Sequence, residues 1–343
     1  MNIVMIDDSY AFDGATSGIR ALGGAEKAFA YLAGALAARG HEVTAINRCE
    51  YQASVDGVLW LPFETPRPPE CDVLIAFRKP ELLDEIDDPT AKSILWLWGQ
   101  PKILNEPVNQ KLLEKHDPAL VFVGEHHRQA WKSWRDFQEV VIVPGIADSF
   151  VETEPGDAPP PVAVVTTHPL HGLRHILRLW RESIHPKNDK AELHIYSASL
   201  FNGAVNERLK DIAEAVTSAQ AINVIIKSPV SDSEMAAAYS SARVHFYPVI
   251  GTEYYGSTLA ESQACGTPAV IYVGEGKTDI IKECIGNGQT GYIAPDDDAF
   301  ANLALELLAE DTAMYQSLSR DAKTLQAGRN WQSAAIEFEA LWK

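Results

Sequence analysis

Hydrophobic residues along this chain gather in short runs, a few of them broken by one polar residue, separated by longer stretches in which apolar positions recur every three or four residues. In the first half the runs fall at residues 3–6, 43–46, 73–77, 94–98, 120–123 and 140–143. In the second half they fall at 162–165, 193–196, 224–226, 244–247 and 269–272. A short apolar run predicts a strand covered on both faces, because alternation is lost when neither face meets water. Helical spacing is clearest from Ala25 through Phe29, Leu32 and Leu36 to Gly40, which stops it. Further helices are predicted near 172–181, over 232–239 with Asp232 as the cap, over 257–265, and through most of 297–343.

Strand alternating with helix predicts parallel sheets joined by crossovers, and here it predicts an α/β fold of two doubly wound domains. The charged, proline-rich stretch 151–161 cannot pack as the interior of an element and reads as a semi-rigid spacer. The expected organisation is an N-terminal Rossmann-like domain over 1–150, the linker 151–161, and a C-terminal Rossmann-like domain over 162–325. A terminal helix, 326–343, would be able to pack back on the first domain. No internal repeat is visible. Open parallel sheets bind ligands at the carboxyl ends of their strands, so the site is expected in a central cleft that the two domains face.

Composition excludes several function classes. A length of 343 residues with 46% hydrophobic and 22% charged positions suits two globular domains with real cores. The 29 Lys and Arg against 47 Asp and Glu leave a net charge of −18, shared by both halves, which disfavours nucleic acid as a partner. Cys49, Cys71, Cys265 and Cys284 are far apart, with no C-x-x-C pair, and read as free thiols in a reducing compartment. No apolar run approaches the length needed to span a bilayer, and the start is too quickly acidic for a secretory signal. A cytoplasmic protein, at most peripherally associated with membrane, is the expectation.

The chemistry is concentrated in residues 248–270. A strand ends, a loop follows, and a helix begins near Ser257. The first amides of a helix have no intrahelical acceptor and sit at the positive end of its dipole, so Gly256, Ser257 and Thr258 could seat a diphosphate without lysine. Gly256 would let a ligand approach the backbone closely. Glu253 precedes the helix and Glu261 lies about a turn inside it. Carboxylates beside an anion site repel the anion unless they face neutral hydroxyls, and sugar hydroxyls are natural partners.

This stretch resembles the E-x-F-G-x-x-x-x-E-A-x-A-x-G-x-P-V signature of the family 4 (group 1) retaining glycosyltransferases, which have the GT-B fold. Glu253, Gly256, Glu261, Gly266, Pro268 and Val270 match it, with Tyr255 as the aromatic. Gly23-Gly24-Ala25-Glu26 and Arg39-Gly40-His41-Glu42-Val43 resemble the family's opening, and residues 231–242 resemble the helix before the signature strand. The resemblance covers nearly the whole chain, and it implies a nucleotide-sugar co-substrate, UDP- or GDP-linked, and a glycan, lipid-linked or small-molecule acceptor. Glu261 would hold the ribose; Glu253, as the catalytic residue, would contact the transferred sugar. Gly256, Ser257 and Thr258 would donate amides, and Gly23 and Gly24 would close over the phosphates. Retention, no metal and no further cofactor are also implied.

The sequence departs from the family at several points. The second domain's first strand is usually followed by an arginine and a lysine that grip the diphosphate; here Thr166 falls near the first and His171 stands at the second, with His168 between them. Imidazole supplies hydrogen bonds but carries full charge only when protonated. Arg174 and Lys227 are candidate substitutes. Trp98-Gly99-Gln100 replaces a histidine loop, Pro144-Gly145 replaces Pro-Asn-Gly, and Ser262 replaces alanine. Two other functions stay open: a degenerate member that binds nucleotide or glycan without transfer, and a nucleotide-sugar epimerase. The basic, aromatic stretch 125–135 reads either as a membrane-surface helix or as a crossover whose tryptophans pack inward.

Overall fold

The computed structural model describes residues 1–157, 159–250, 253–273 and 283–343. The chain divides into two compact units, Met1–Gly145 with Arg329–Lys343, and Ile146–Gly328.

The first unit is built on strands β1 (Asn2–Ile6), β2 (Glu42–Asn47), β3 (Ala53–Val55), β4 (Val58–Pro62), β5 (Val73–Phe77), β6 (Lys92–Trp96), β7 (Ala119–Phe122) and β8 (Glu139–Val141). They pair in the order β3-β4-β2-β1-β5-β6-β7-β8, parallel except for the β3–β4 hairpin. The predicted runs are all strands; β3 and β4 are additional, although Val58 to Leu61 is itself an unbroken apolar run. The helix Gly24–Ala38 buries Phe29, Leu32 and Leu36 against one sheet face.

The C-terminal helix Trp331–Glu339 packs on that same face. The Trp331 ring stacks on Tyr31, and Phe338 lies edge-on to Trp96 with centroids 5.1 Å apart. Glu339, only 5% exposed, accepts from Arg39 Nε at 2.5 Å and from Lys343 at 2.9 Å, and its other polar neighbour is the His41 ring at 3.2 Å. At Gly145 a Cβ would lie 2.6 Å from the Trp331 amide nitrogen. The family's Asn-Gly is reduced to glycine where two backbones nearly touch.

The second unit contains β9 (Val162–Val165), β10 (Glu192–Tyr196), β11 (Val224–Lys227), β12 (Val244–Val249), β13 (Ala269–Val273) and β14 (Gly291–Ala294). All pairings are parallel, in the order β11-β10-β9-β12-β13-β14. One face carries the helices Leu173–Leu179, Lys210–Ala219 and Asp297–Leu307 over Leu193, Ile195 and Phe246. The helix Asp232–Ser240 is capped not by Asp232 but by Ser231, in a capping box with Glu234, whose carboxylate accepts from the Ser231 hydroxyl at 2.6 Å.

The proline-rich stretch expected as a linker belongs to this second unit. Its carbonyls are received one by one: Val151 and Thr153 by Lys323, Gly156 by Tyr315, Asp157 by Gln316, and Pro159 by Arg243. A Cβ on Gly266 would lie 2.7 Å from Pro155, so the segment is seated against the turn before β13. Proline removes donors but leaves every carbonyl available, and side chains of this unit use them.

Candidate functional site

Strand order reverses direction between β9 and β12, and the loops leaving such a pair of neighbours form the ligand crevice of an open parallel sheet. The β9 loop carries Thr166, His168 and His171; the β12 loop carries Glu253 and leads into the helix Ser257–Ala264. A Cβ on Gly172 would approach Pro248 to 2.8 Å and Ile250 to 3.2 Å, and its φ of 103° requires glycine, so the two loops lie side by side. Of the predicted residues, His168, His171, Glu253, Gly256, Ser257, Thr258 and Glu261 lie in this unit, and Gly23 and Gly24 lie in the first. Gly251 and Thr252 of the signature loop lie outside the described residues.

Gly256 is the N-cap of the Ser257–Ala264 helix and offers no side chain to its first amides. Glu253 stands before the helix and Glu261, 7% exposed, in its second turn. Glu253 Oε1 accepts a hydrogen bond from the Tyr247 hydroxyl at 2.7 Å. Burial raises the Glu253 carboxyl above its ordinary range, and the tyrosine bond opposes that shift.

Beneath the loops runs a chain of uncharged hydrogen bonds. Tyr239 donates to Thr166 Oγ1 at 3.2 Å, and Thr166 lies 3.0 Å from His245 Nε2. His245 Nδ1 lies 2.8 Å from Ser262 Oγ, which donates onward to the Leu259 carbonyl. With the serine proton spent on that carbonyl, Nδ1 must carry the imidazole proton and Nε2 must accept from Thr166. Burial depresses the His245 pKa to about 3, so the ring is neutral. Two departures from the family pattern, Thr166 and Ser262, therefore meet on one histidine.

Above them, His168 and His171 are both exposed, with ring centroids 5.6 Å apart. The Leu170 amide donates to His168 Nδ1, which leaves Nε2 as the outward nitrogen. Burial lowers the His168 pKa, and the charges of His171 and Arg208 lower it further. Arg208 is thus a cation beside the imidazole pair that sequence reasoning missed. Arg174 pairs loosely with Asp211 at 3.6 Å, and Lys227 lies beside His194.

In the first unit the equivalent reversal lies between β1 and β5. Gly23 is the N-cap of the Gly24–Ala38 helix, and a Cβ there would collide with the carboxylate of Glu26. Glu26 Oε1 accepts from Arg78 Nη2 at 2.9 Å, the same nitrogen that reaches Asp7 at 2.9 Å and Ser9 at 2.5 Å. Arg78 has a φ of 71°, a left-handed conformation costly for arginine. Burial raises the Asp7 pKa, against the pull of Arg78 and Ser9. Nearby, His127 spans Val123 and Gly99, anchoring the Trp98-Gly99-Gln100 loop.

In the stretch 125–135 the helix ends at Gln129; Trp131, 5% exposed, packs among Phe122, Trp134 and Phe137, while Trp134 itself is 37% exposed. No helix among the described residues is long and apolar enough to cross a membrane, and among them no three His, Cys, Asp or Glu converge as a metal site.

A helix start flanked by two acids thus lies at the reversal point of a doubly wound, Rossmann-like sheet. Residues 161–325 match the family model described as glycosyl transferases group 1. The chain is similar to a phosphatidyl-myo-inositol mannosyltransferase of Mycobacterium leprae, 31% identical over 33% of the chain and 30% of the relative. It is also similar to a D-inositol 3-phosphate glycosyltransferase of an Arthrobacter strain, 34% identical over 33% of the chain and 26% of the relative. The chain thus matches under a third of the length of either relative.

Solved structures resemble the chain from end to end. Sucrose-phosphate synthase of Thermosynechococcus elongatus superposes with a TM-score of 0.72 at 15% identity, covering 100% of this chain and 98% of that one. Anabaena HepE, in complex with UDP and glucose, gives 0.69 at 14% identity, covering 99% and 98%. WaaG, a glycosyltransferase of lipopolysaccharide biosynthesis, gives 0.67 at 11%, covering 99% of each chain. The fold is therefore GT-B, with two Rossmann-like domains.

Proposed function

We propose that this protein transfers a sugar from a UDP- or GDP-linked donor to a hydroxyl of a glycan, a lipid-linked sugar or a small polyol, with retention and without metal. The observation that carries this reading is the Ser257–Ala264 helix start, where uncapped amides stand between Glu253 and the buried Glu261. The group 1 family match and the UDP and glucose bound by HepE support a nucleotide sugar as ligand. The two inositol-directed relatives support a hydroxyl-bearing acceptor.

In this reading Glu261 accepts from the ribose hydroxyls and Glu253 from a hydroxyl of the transferred sugar. The amides of Gly256, Ser257 and Thr258 neutralise the diphosphate, with His168, His171 and Arg208 beside it. The bond from the anomeric carbon to the phosphate oxygen breaks, and the acceptor oxygen forms its bond on the same face. The acceptor proton passes to the departing phosphate. Such a reaction needs placed dipoles and excluded water more than a strong base.

Calorimetry with UDP and GDP, followed by transfer and hydrolysis assays over a panel of nucleotide sugars, tests the proposal. Binding with turnover that falls sharply in both Glu253→Ala and Glu261→Ala is expected; unchanged rates in both would remove it. A second reading, binding without transfer, is favoured by one observation: the Thr166 hydroxyl, near the usual arginine position, is engaged by His245 and Tyr239. Tight binding with neither transfer nor hydrolysis for any donor would select it.

A further inference from the structure

We infer that Tyr247 is a positioning residue for Glu253, fixing one oxygen of that carboxylate so that the other addresses the transferred sugar. This rests on the glycosyltransferase reading above. Tyr247 sits inside β12 with 1% exposure, two positions after His245 on the same face of the strand, their rings edge to face with centroids 5.4 Å apart. Its hydroxyl reaches out of the core to Glu253 Oε1 at 2.7 Å. A Cβ on Gly256 would come within 3.0 Å of that hydroxyl and 3.3 Å of Leu259 Cβ, so the N-cap of the site helix closes directly over the bond. Glycine at this position therefore has a second reason besides access for a ligand: any larger residue would press on the pair.

Chemistry fixes the direction of the bond. The titratable groups facing the phenol are Glu253, Cys284 and Tyr239, with neutral His245 beside it on the strand. Burial and the Glu253 charge push the tyrosine pKa well above its ordinary value, so the phenol remains protonated and donates. A carboxylate has two acceptor oxygens. With Oε1 committed to Tyr247, Oε2 is the one left for a sugar hydroxyl, and its angle is set by a side chain locked in the core rather than by the surface loop. The same bond favours the ionised carboxylate against its burial. A buried tyrosine that merely needed a partner for its hydroxyl would show the same contact, so the test must read function.

Tyr247→Phe keeps the ring and removes only the oxygen. Donor kcat/KM is expected to fall about tenfold, as for loss of a hydrogen bond to a charged group. Affinity for UDP or GDP alone should be unchanged, and the acidic limb of the pH–rate profile should move to higher pH, because Glu253 loses the bond that holds it ionised. Glu253→Gln should also lower kcat/KM with nucleotide affinity unchanged, and adding Tyr247→Phe to it should cost nothing further. Wild-type kcat/KM and an unmoved acidic limb in a folded Tyr247→Phe enzyme, while Glu253→Gln is impaired, would overturn the inference and leave the function intact. Losses that multiply in the double variant would overturn it as well. A wild type that binds neither nucleotide and turns over no donor would remove both readings. Should Tyr247→Phe lower the Tm sharply, Glu253→Gln decides alone: weakened nucleotide binding there would overturn the assignment.

Discussion

The two units carry the same kind of sheet and place polar clusters at the same topological point, yet they hold those clusters together by opposite means. In the first unit Arg78 gathers Asp7, Ser9 and Glu26 around one nitrogen, two buried carboxylates sharing one guanidinium. In the second, Tyr239, Thr166, His245 and Ser262 form a chain with no net charge. A charge-paired cluster is costly to break, because the surviving partner is left buried with nothing to balance it. An uncharged chain loses only the hydrogen bonds removed. The difference teaches where each unit is vulnerable. In the second unit the groups beneath the loops are neutral.

The largest effect should fall on activity and in the second unit alone: Glu261→Ala is expected to lower donor kcat/KM on the order of a hundredfold. Thermal unfolding should show little change, and a matching loss of Tm would instead make Glu261 a core residue. Next, Arg78→Met should destabilise the protein by about 3 kcal/mol, since it leaves Asp7 and Glu26 without a counter-charge. The Asp7 pKa is already raised by burial and would rise further. Its protonation would shrink the deficit of this variant as pH falls. A deficit that widens on acidification would mean that the guanidinium is not the balancing group.

His245→Phe should cost about 2 kcal/mol, since the Thr166 and Ser262 hydroxyls each lose one partner. That cost should shrink as pH falls below about 6.5, because the unfolded chain then protonates His245 while the folded ring, held to a pKa of about 3 by burial, stays neutral. A cost that stays flat or grows in acid would show that the folded ring takes up the proton too. Smaller again, Glu339→Gln should cost about 1–2 kcal/mol by weakening the bonds from Arg39 and Lys343. Those bonds hold the Glu339 carboxyl far below its usual range, so their contribution is full above the unfolded pKa and disappears as acid protonates the group. Urea unfolding of wild type and variant at two pH values would show the two curves converging in acid. Ser262→Ala, which restores the residue usual in the family, should be the mildest, at about 1 kcal/mol.

Much of the fold is legible in the sequence, and particular residues show why. The run at 73–77 could only be a doubly covered strand, and it is fully buried as β5. The strand β14 is not legible, because Gly291-Tyr292-Ile293-Ala294 is half-exposed at a sheet edge and its glycine, at φ 152°, serves a backbone approach to Ala269. The glutamates, Gly256 and the helix start could be read from spacing and resemblance. Their supports could not. Tyr247 and His245 sit in a run that looks wholly apolar, and the only trace of another role is that two hydrogen-bonding side chains fall two residues apart, on one face of a strand. Arg78 left a weaker trace still, since its partners Asp7 and Glu26 are 71 and 52 residues away.

The sequence by itself determined the two α/β domains and the signature acids, because hydrophobic period and motif spacing are local and survive without any knowledge of contacts. Only the tertiary structure decided that the proline-rich stretch is seated on the second unit and that Thr166 and Ser262 share one histidine. It alone gave Glu253 its tyrosine. The physical reason is common to all three: hydrogen bonds between side chains far apart in sequence depend on angles and distances of a few tenths of an ångström, which close packing fixes and residue order does not encode in any short window.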